Sequence, residues 1–198
     1  IVMTSSGLKP AVAVLIATVK GLTAQEELIG GAVPPGQIRS RHGFSNLAKH
    51  IENLRKFNLP LVVAINRFPS DTLEALDSVQ SFCRDIDAEC AITEVFEKGG
   101  AGALELAAKA MALADRSYNR EISPLYPATL SIEQKIERVA KEIYGARSVY
   151  LESAARRQIK KIDELGFGRL PICIAKTQSS LSDNPKLLGA PRDWMLTV

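Results

Sequence analysis

The chain alternates short apolar runs with stretches of helical periodicity, and few folds accept that pattern. Ala11-Val-Ala-Val-Leu-Ile-Ala-Thr-Val19 is too rich in valine and isoleucine for a surface strand, and Leu61-Val-Val-Ala-Ile65 contains no polar side chain. Strands buried on both faces belong to parallel sheets covered by helices, so the runs predict an α/β fold with a mostly parallel sheet flanked by helices. Cys90–Val95 reads as a weaker strand of the same sheet.

The connecting segments carry their own signals. Residues 20–40 show little periodicity and hold the breakers Gly30-Gly31 and Pro34-Pro35-Gly36, which predicts a loop or insertion longer than most internal connections. Phe44, Leu47, Ile51 and Leu54 then share one helical face, and Leu73, Leu76, Val79, Phe82 and Ile86 share another behind a cap at Asp71 or Thr72. Lys98-Gly-Gly-Ala-Gly102 precedes an alanine-rich helix ending near Ala114. Asp115–Leu130 is polar and broken by Pro124 and Pro127, which predicts a boundary between a core portion over 1–116 and a smaller α/β subdomain over 128–198. In the latter, Ser131 caps a helix with Ile132, Ile136, Val139, Ala140 and Ile143 on one side and Gly145 as its stop. A short strand near Ser148–Leu151, a helix to Gly166 and the run Leu170–Ala175 follow, and Lys176–Val198 reads as an extended loop. The apolar opening and the apolar tail are those expected of a piece of a larger protein.

Several function classes are excluded by composition. Hydrophobic residues at 46% and charged residues at 24% are those of a soluble globular protein. The longest apolar run is far short of a membrane span, and the first residues lack the basic region of an export signal. The net charge of +3 is interleaved along the helices, without the basic stripe that phosphate backbones require, so no nucleic-acid partner is expected. Cys83, Cys90 and Cys173 form no Cys-x-x-Cys pair; Cys83 and Cys173 read as core residues, no metal site is expected, and unpaired thiols fit a reducing cytoplasm. His42 and His50 read as surface residues, and no Ser/His/Asp arrangement supports hydrolysis.

In open parallel sheets ligands gather at the carboxyl ends of the strands, where three segments fall. After the second strand, Asn66 offers a carboxamide for the edge of a heterocycle and Phe68 a face for stacking. The plainer alternative makes Asn66 a turn residue, Phe68 core and Asp71 a helix cap. In Glu94–Gly102, Phe96 is a second stacking ring, while Lys98, Gly99 and Gly100 open a glycine-rich turn that either approaches a ligand or simply joins strand to helix. That turn lacks the Gly-x-x-x-x-Gly-Lys-Ser/Thr order of a phosphate loop, as does the rest of the sequence. In the third segment Lys176, Thr177 and Gln178 can neutralise or orient a polar ligand, or can be a solvated loop.

Taken in order, these segments resemble the formate–tetrahydrofolate ligase family. The matching stretches are Leu8-Lys-Pro10 with the strand to Lys20, Gly43–Asn53, Pro60–Thr72, Lys98-Gly-Gly100, Glu142-Ile-Tyr-Gly145, Leu170–Gln178 and Leu181-Ser-Asp-Asn-Pro185. The resemblance covers nearly the whole chain except residues 20–40, and it rests on the ordered set rather than on one motif. It implies an ATP- and Mg2+-dependent ligase that joins formate to tetrahydrofolate through formyl phosphate, giving 10-formyltetrahydrofolate. It also implies a truncated core like that of the P-loop NTPases and commonly a homo-oligomer. The pterin ring is expected between Phe68 and Phe96, with Asn66 and Asp71 beside it and Lys98, Gly99, Gly100, Lys176, Thr177 and Gln178 near the cleft.

The sequence departs from the family in two ways. Phe96 stands where tryptophan is usual, which keeps a stacking face but loses area and the indole N–H. The phosphate loop and the residues for formyl phosphate belong to an N-terminal part outside these 198 residues. The leading expectation is therefore a ligase portion that needs that missing half as a partner. The alternatives are a non-catalytic folate-binding or interaction module from a truncated gene, and a generic P-loop-like domain whose Asn66-Arg67-Phe68 turn meets a nucleotide base.

Overall fold

The computed structural model describes residues 7–32, 38, 41–117, 119–175 and 180–198. It separates into two compact units, one spanning Lys9–Ile122 and one built on Ser123–Val198.

The first unit is organised by a parallel sheet in the order β1 (Ala13–Ala17), β2 (Leu61–Asn66), β3 (Glu89–Thr93). Ala13 pairs with Leu61 and Ala17 with Ile65, while Val62 pairs with Glu89 and Asn66 with Thr93. β2 is central, and its polar-free run is accounted for by cover on both faces. On one face Leu61, Val63 and Ile65 enter a core with side chains from α1 (Val19–Gly30), α2 (Ser45–Lys56) and α3 (Leu73–Asp85), among them Leu22, Leu47, Ile51, Leu76 and Val79. Phe44, just before α2, stacks on Phe82 of α3 at 4.4 Å between ring centres and 8° between planes. β3 is followed by the single turn α4 (Val95–Lys98), a 3-10 turn over Gly99–Ala103, and α5 (Leu104–Arg116). α5 packs over the second face of β2 and β3, where Val62, Ala64 and Ala91 are buried.

Three expectations for this unit are corrected. β1 is not buried on both faces: it is a sheet edge, with Val14 45% and Ile16 68% exposed on the side that α5 covers only for β2 and β3. Apolar content shows that a strand tolerates burial; it does not count the helices available to cover it. Residues 20–40 are not wholly a loop, because α1 occupies Val19–Gly30 behind a Thr18 cap whose hydroxyl accepts from the Gly21 N–H at 3.0 Å. Its buried face is Val19, Leu22, Thr23 and Glu26, a proper helical stripe with half its members polar, which hides the periodicity. Leu73 is 71% exposed in the first turn of α3, whereas Leu76 and Val79 are buried.

In the second unit α6 (Ile132–Val139) starts with a reciprocal cap. The Gln134 N–H donates to Ser131 Oγ at 3.2 Å and the Ser131 N–H to Gln134 Oε1 at 3.0 Å. The helix widens into a π turn over Ala140–Tyr144 and stops at Gly145, φ +76°. β4 (Ser148–Tyr150) precedes α7 (Ser153–Glu164) and pairs in parallel with β5 (Met195–Thr197), a strand inside the tail expected to be loop. Ile132, Ile136, Ala140, Trp194 and Leu196 form the core.

Leu170–Ala175 forms no strand, and Cys173 is exposed rather than core. Tyrosine hydroxyls hold this extended segment. The Ile172 N–H donates to Tyr126 Oη at 2.8 Å, and Tyr144 Oη donates to the Ile174 carbonyl at 2.7 Å. Ile172 and Ile174 pack on the core, and the alternation of extended backbone turns Cys173 outward.

Candidate functional site

The candidate residues of the first unit meet at the carboxyl edge of β2 and β3. Asn66 ends β2 opposite Thr93, and the ladder runs one step further, the Arg67 N–H donating to the Thr93 carbonyl at 2.9 Å. The chain then turns on Asp71. Its Oδ2 accepts the Phe68 N–H at 2.8 Å, while its own N–H donates to the Phe68 carbonyl at 2.9 Å. Thr72, not Asp71, caps α3, accepting the Ala75 N–H at 3.2 Å. Asp71 thus fixes the turn that carries Phe68.

Beyond β3 the Glu94 N–H donates to the Gly102 carbonyl at 2.9 Å, folding the 3-10 turn back beneath the strand end. A Cβ at Gly102 would stand 2.5 Å from the carbonyl carbon and oxygen of Glu94, so this close approach is to the chain's own backbone. Gly99 reverses the chain at φ +55°, and a Cβ at Gly100 would meet nothing within 4 Å. α4, between these glycines and β3, carries Phe96.

The Phe68 and Phe96 rings rest on one another, with centroids 5.4 Å apart and planes at 48°. Phe68 is partly buried and Phe96 is 67% exposed. A flat ring seated between two others needs about 7 Å, the sum of two stacking distances, so a sandwiched ligand requires Phe96 to move outward.

Beside the rings, Arg67 Nη1 lies 2.7 Å and Lys98 Nζ 2.5 Å from separate oxygens of Glu94. The hydrogen bond from Lys98, aided by the Lys98 and Arg67 charges and opposed by partial desolvation, holds the Glu94 carboxyl below its usual range. Two buried polar atoms there, Asn66 Oδ1 and Arg67 Nε, have no hydrogen-bond partner among the described residues. Such atoms are costly to leave unmet, and they mark where a ligand's polar edge or a water belongs.

The structure therefore brings Asn66, Phe68, Asp71, Phe96 and Lys98 to one strand-end region, with Gly99 and Gly100 on the turn that follows. Lys176, Thr177 and Gln178 lie outside the described residues. Glu94 is a site residue that the sequence analysis gives no role; its four-residue spacing from Lys98 is the signal for the ion pair. Among the described residues no group of three His, Cys, Asp or Glu side chains converges as a metal cage. Two aromatic faces, an unmet amide acceptor and an unmet guanidinium donor suit a flat heteroaromatic ligand with polar edges.

A small parallel sheet flanked by helices places the chain among α/β proteins, and polar and aromatic side chains gather at the carboxyl ends of its strands. The family model of formate–tetrahydrofolate ligase matches residues 1–198, and the chain belongs to that family.

Proposed function

We propose that this chain supplies the folate-binding part of an ATP-dependent ligase that formylates tetrahydrofolate to 10-formyltetrahydrofolate through formyl phosphate. The observation that carries the reading is the Phe68–Phe96 pair at the carboxyl edge of the sheet, with the unmet Asn66 Oδ1 beside it. Phe96 swings outward, the pterin enters against Phe68, and the Asn66 carboxamide oxygen accepts from the N–H edge of the heterocycle. Asp71 keeps Phe68 in place by holding its backbone N–H. Lys98 and Arg67 stay with Glu94 and set the electrostatics of the rim.

ATP and Mg2+ do not find a cradle in the residues described. The sequence holds no Gly-x-x-x-x-Gly-Lys-Ser/Thr segment, Asp71 is engaged by the Phe68 N–H, and Glu94 is occupied by two cations. Formyl-phosphate formation is therefore expected to need further residues, such as an N-terminal half of the enzyme acting as partner.

Calorimetric titration with tetrahydrofolate tests the reading. The wild-type chain is expected to bind and a Phe68→Ala variant to lose that binding. A folded Phe68→Ala protein that binds as well as the wild type would sink the placement of the pterin. Preference for ATP over tetrahydrofolate would favour a nucleotide site at the same turn, and 10-formyltetrahydrofolate made by the pure chain would refute its dependence on further residues.

A further inference from the structure

At the opposite, amino-terminal edge of the sheet lies a feature that folate chemistry does not use. A cavity of about 330 Å³ is lined by Gln80 and Arg84 of α3, Asp87, Ala88, Glu89 and Cys90 at the start of β3, and Lys109 of α5. Cys90 is half-buried in its wall; paired with Val63, it packs from the α3 side of the sheet against the core that holds Cys83, wholly buried near the end of α3. The connection between them is tight, the Ala88 N–H donating to the Cys83 carbonyl at 2.8 Å. Lys109 Nζ donates to the Cys90 carbonyl at 2.6 Å and pairs with Glu105 at 2.7 Å, which fixes an ammonium against the Cys90 backbone.

We propose that Cys83 and Cys90 are a redox pair, oxidised by hydrogen peroxide entering this cavity and closing to an internal disulfide. The Cys90 thiolate attacks one peroxide oxygen, the O–O bond breaks, and hydroxide leaves, taking up a proton to become water. Cys90 is then a sulfenic acid. The Cys83 sulfur attacks the Cys90 sulfur, the S–O bond breaks, and the departing hydroxyl takes the Cys83 proton as a second water. Two thiols lose two electrons and one peroxide gains them, so the balance closes without another reactant.

The division of roles follows from the surroundings. The Cys83 hydrogen bond, with Lys109 and Arg84 nearby, draws the Cys90 thiol down to about 7 against burial and Glu105. The same hydrogen bond and burial push Cys83 well up, and its complete burial keeps it out of the cavity that Cys90 lines. Cys90 faces the cavity, and Cys83 sits behind it as the resolving thiol.

The test uses the full chain with Cys173→Ser, which removes the exposed third thiol. Hydrogen peroxide is expected to consume both remaining thiols and lower the intact mass by two hydrogen atoms. It should also yield a Cys83–Cys90 cross-linked peptide that dithiothreitol releases. With Cys83→Ala added, Cys90 should stall as a sulfenic acid that dimedone traps. Peroxide that leaves both thiols titratable, or that drives Cys90 to sulfinic acid with no cross-link, overturns the proposal. A second measurement needs no substitution in the pair: alkylation of Cys90 by iodoacetamide against pH. A midpoint near 7 supports the pair, and a midpoint at the ordinary thiol value of 9.0 overturns it.

Discussion

Gly102 lies against the carbonyl of Glu94, leaving a Cβ on Gly102 only 2.5 Å from that carbon and oxygen. The atoms it would meet are backbone, which cannot rotate away as a side chain can. Gly102→Ala must therefore push the 3-10 turn off the end of β3 and strain the bond from the Glu94 N–H to the Gly102 carbonyl. Overpacking of this kind costs about 1–3 kcal/mol. Gly100→Ala, two residues earlier, meets nothing within 4 Å and is expected to be near neutral. Urea unfolding of the two variants side by side checks the contrast; equal midpoints would show that the turn yields freely.

Glu94 also sets a pH dependence. Its folded pKa is lowered from the ordinary carboxyl value of 4.5, so the unfolded chain takes up the proton first as pH falls. The stabilisation from Lys98 and Arg67 is thus present in full above about pH 4.5 and is lost as pH falls through the folded value. Glu94→Gln removes the charge at every pH. Its deficit in urea midpoint relative to wild type should be steady near neutrality and shrink on acidification. A deficit that persists well below pH 4.5 would mean the side chain acts through packing instead.

Both variants concern a region whose outline was readable in the sequence and whose wiring was not. The polar-free run Leu61–Ile65 reads as a buried strand, and the residues after it fall at the carboxyl edge by the logic of parallel sheets. The α1 helix escaped notice because Thr23 and Glu26 occupy positions where apolar residues normally reveal the stripe. Exposure of Ile16 depends on where α5 lies, a tertiary fact that composition does not contain. At the site, Phe68 and Phe96 were legible as strand-end aromatics, but their mutual contact was not, since 28 positions of sequence separate them. Nor does any local pattern reveal that Gly102 approaches Glu94 rather than a ligand.

In the second unit Lys135 is wholly buried, and its Nζ donates to the carbonyls of Gly168 at 2.6 Å and Leu170 at 3.1 Å. It fastens the end of the α7 connection to α6. Lys135→Met keeps most of the stem volume but leaves two carbonyls without their donor. The expected loss is about 1–3 kcal/mol, seen as a lower urea midpoint with faster amide exchange around Gly168–Leu170. Unchanged exchange there would show that water replaces the ammonium without cost.

Phe96→Trp bears directly on the proposed folate role. In the free protein Phe96 is 67% exposed and its ring only rests on Phe68, so a larger indole finds room without displacing core. Two effects then compete. A larger ring gains more from its contact with Phe68 and resists opening, but it also gains more area against a pterin lying between the two. The pterin offers a full face to the indole, whereas Phe68 meets Phe96 at a tilt of 48°, so the bound state gains more than the free one. The surplus is worth about 1 kcal/mol, or roughly fivefold in affinity. Calorimetric titration of Phe96→Trp with tetrahydrofolate should show that tightening, and Phe96→Leu, which removes the aromatic face, should weaken binding. Affinity indifferent to both changes in folded protein would remove Phe96 from the site.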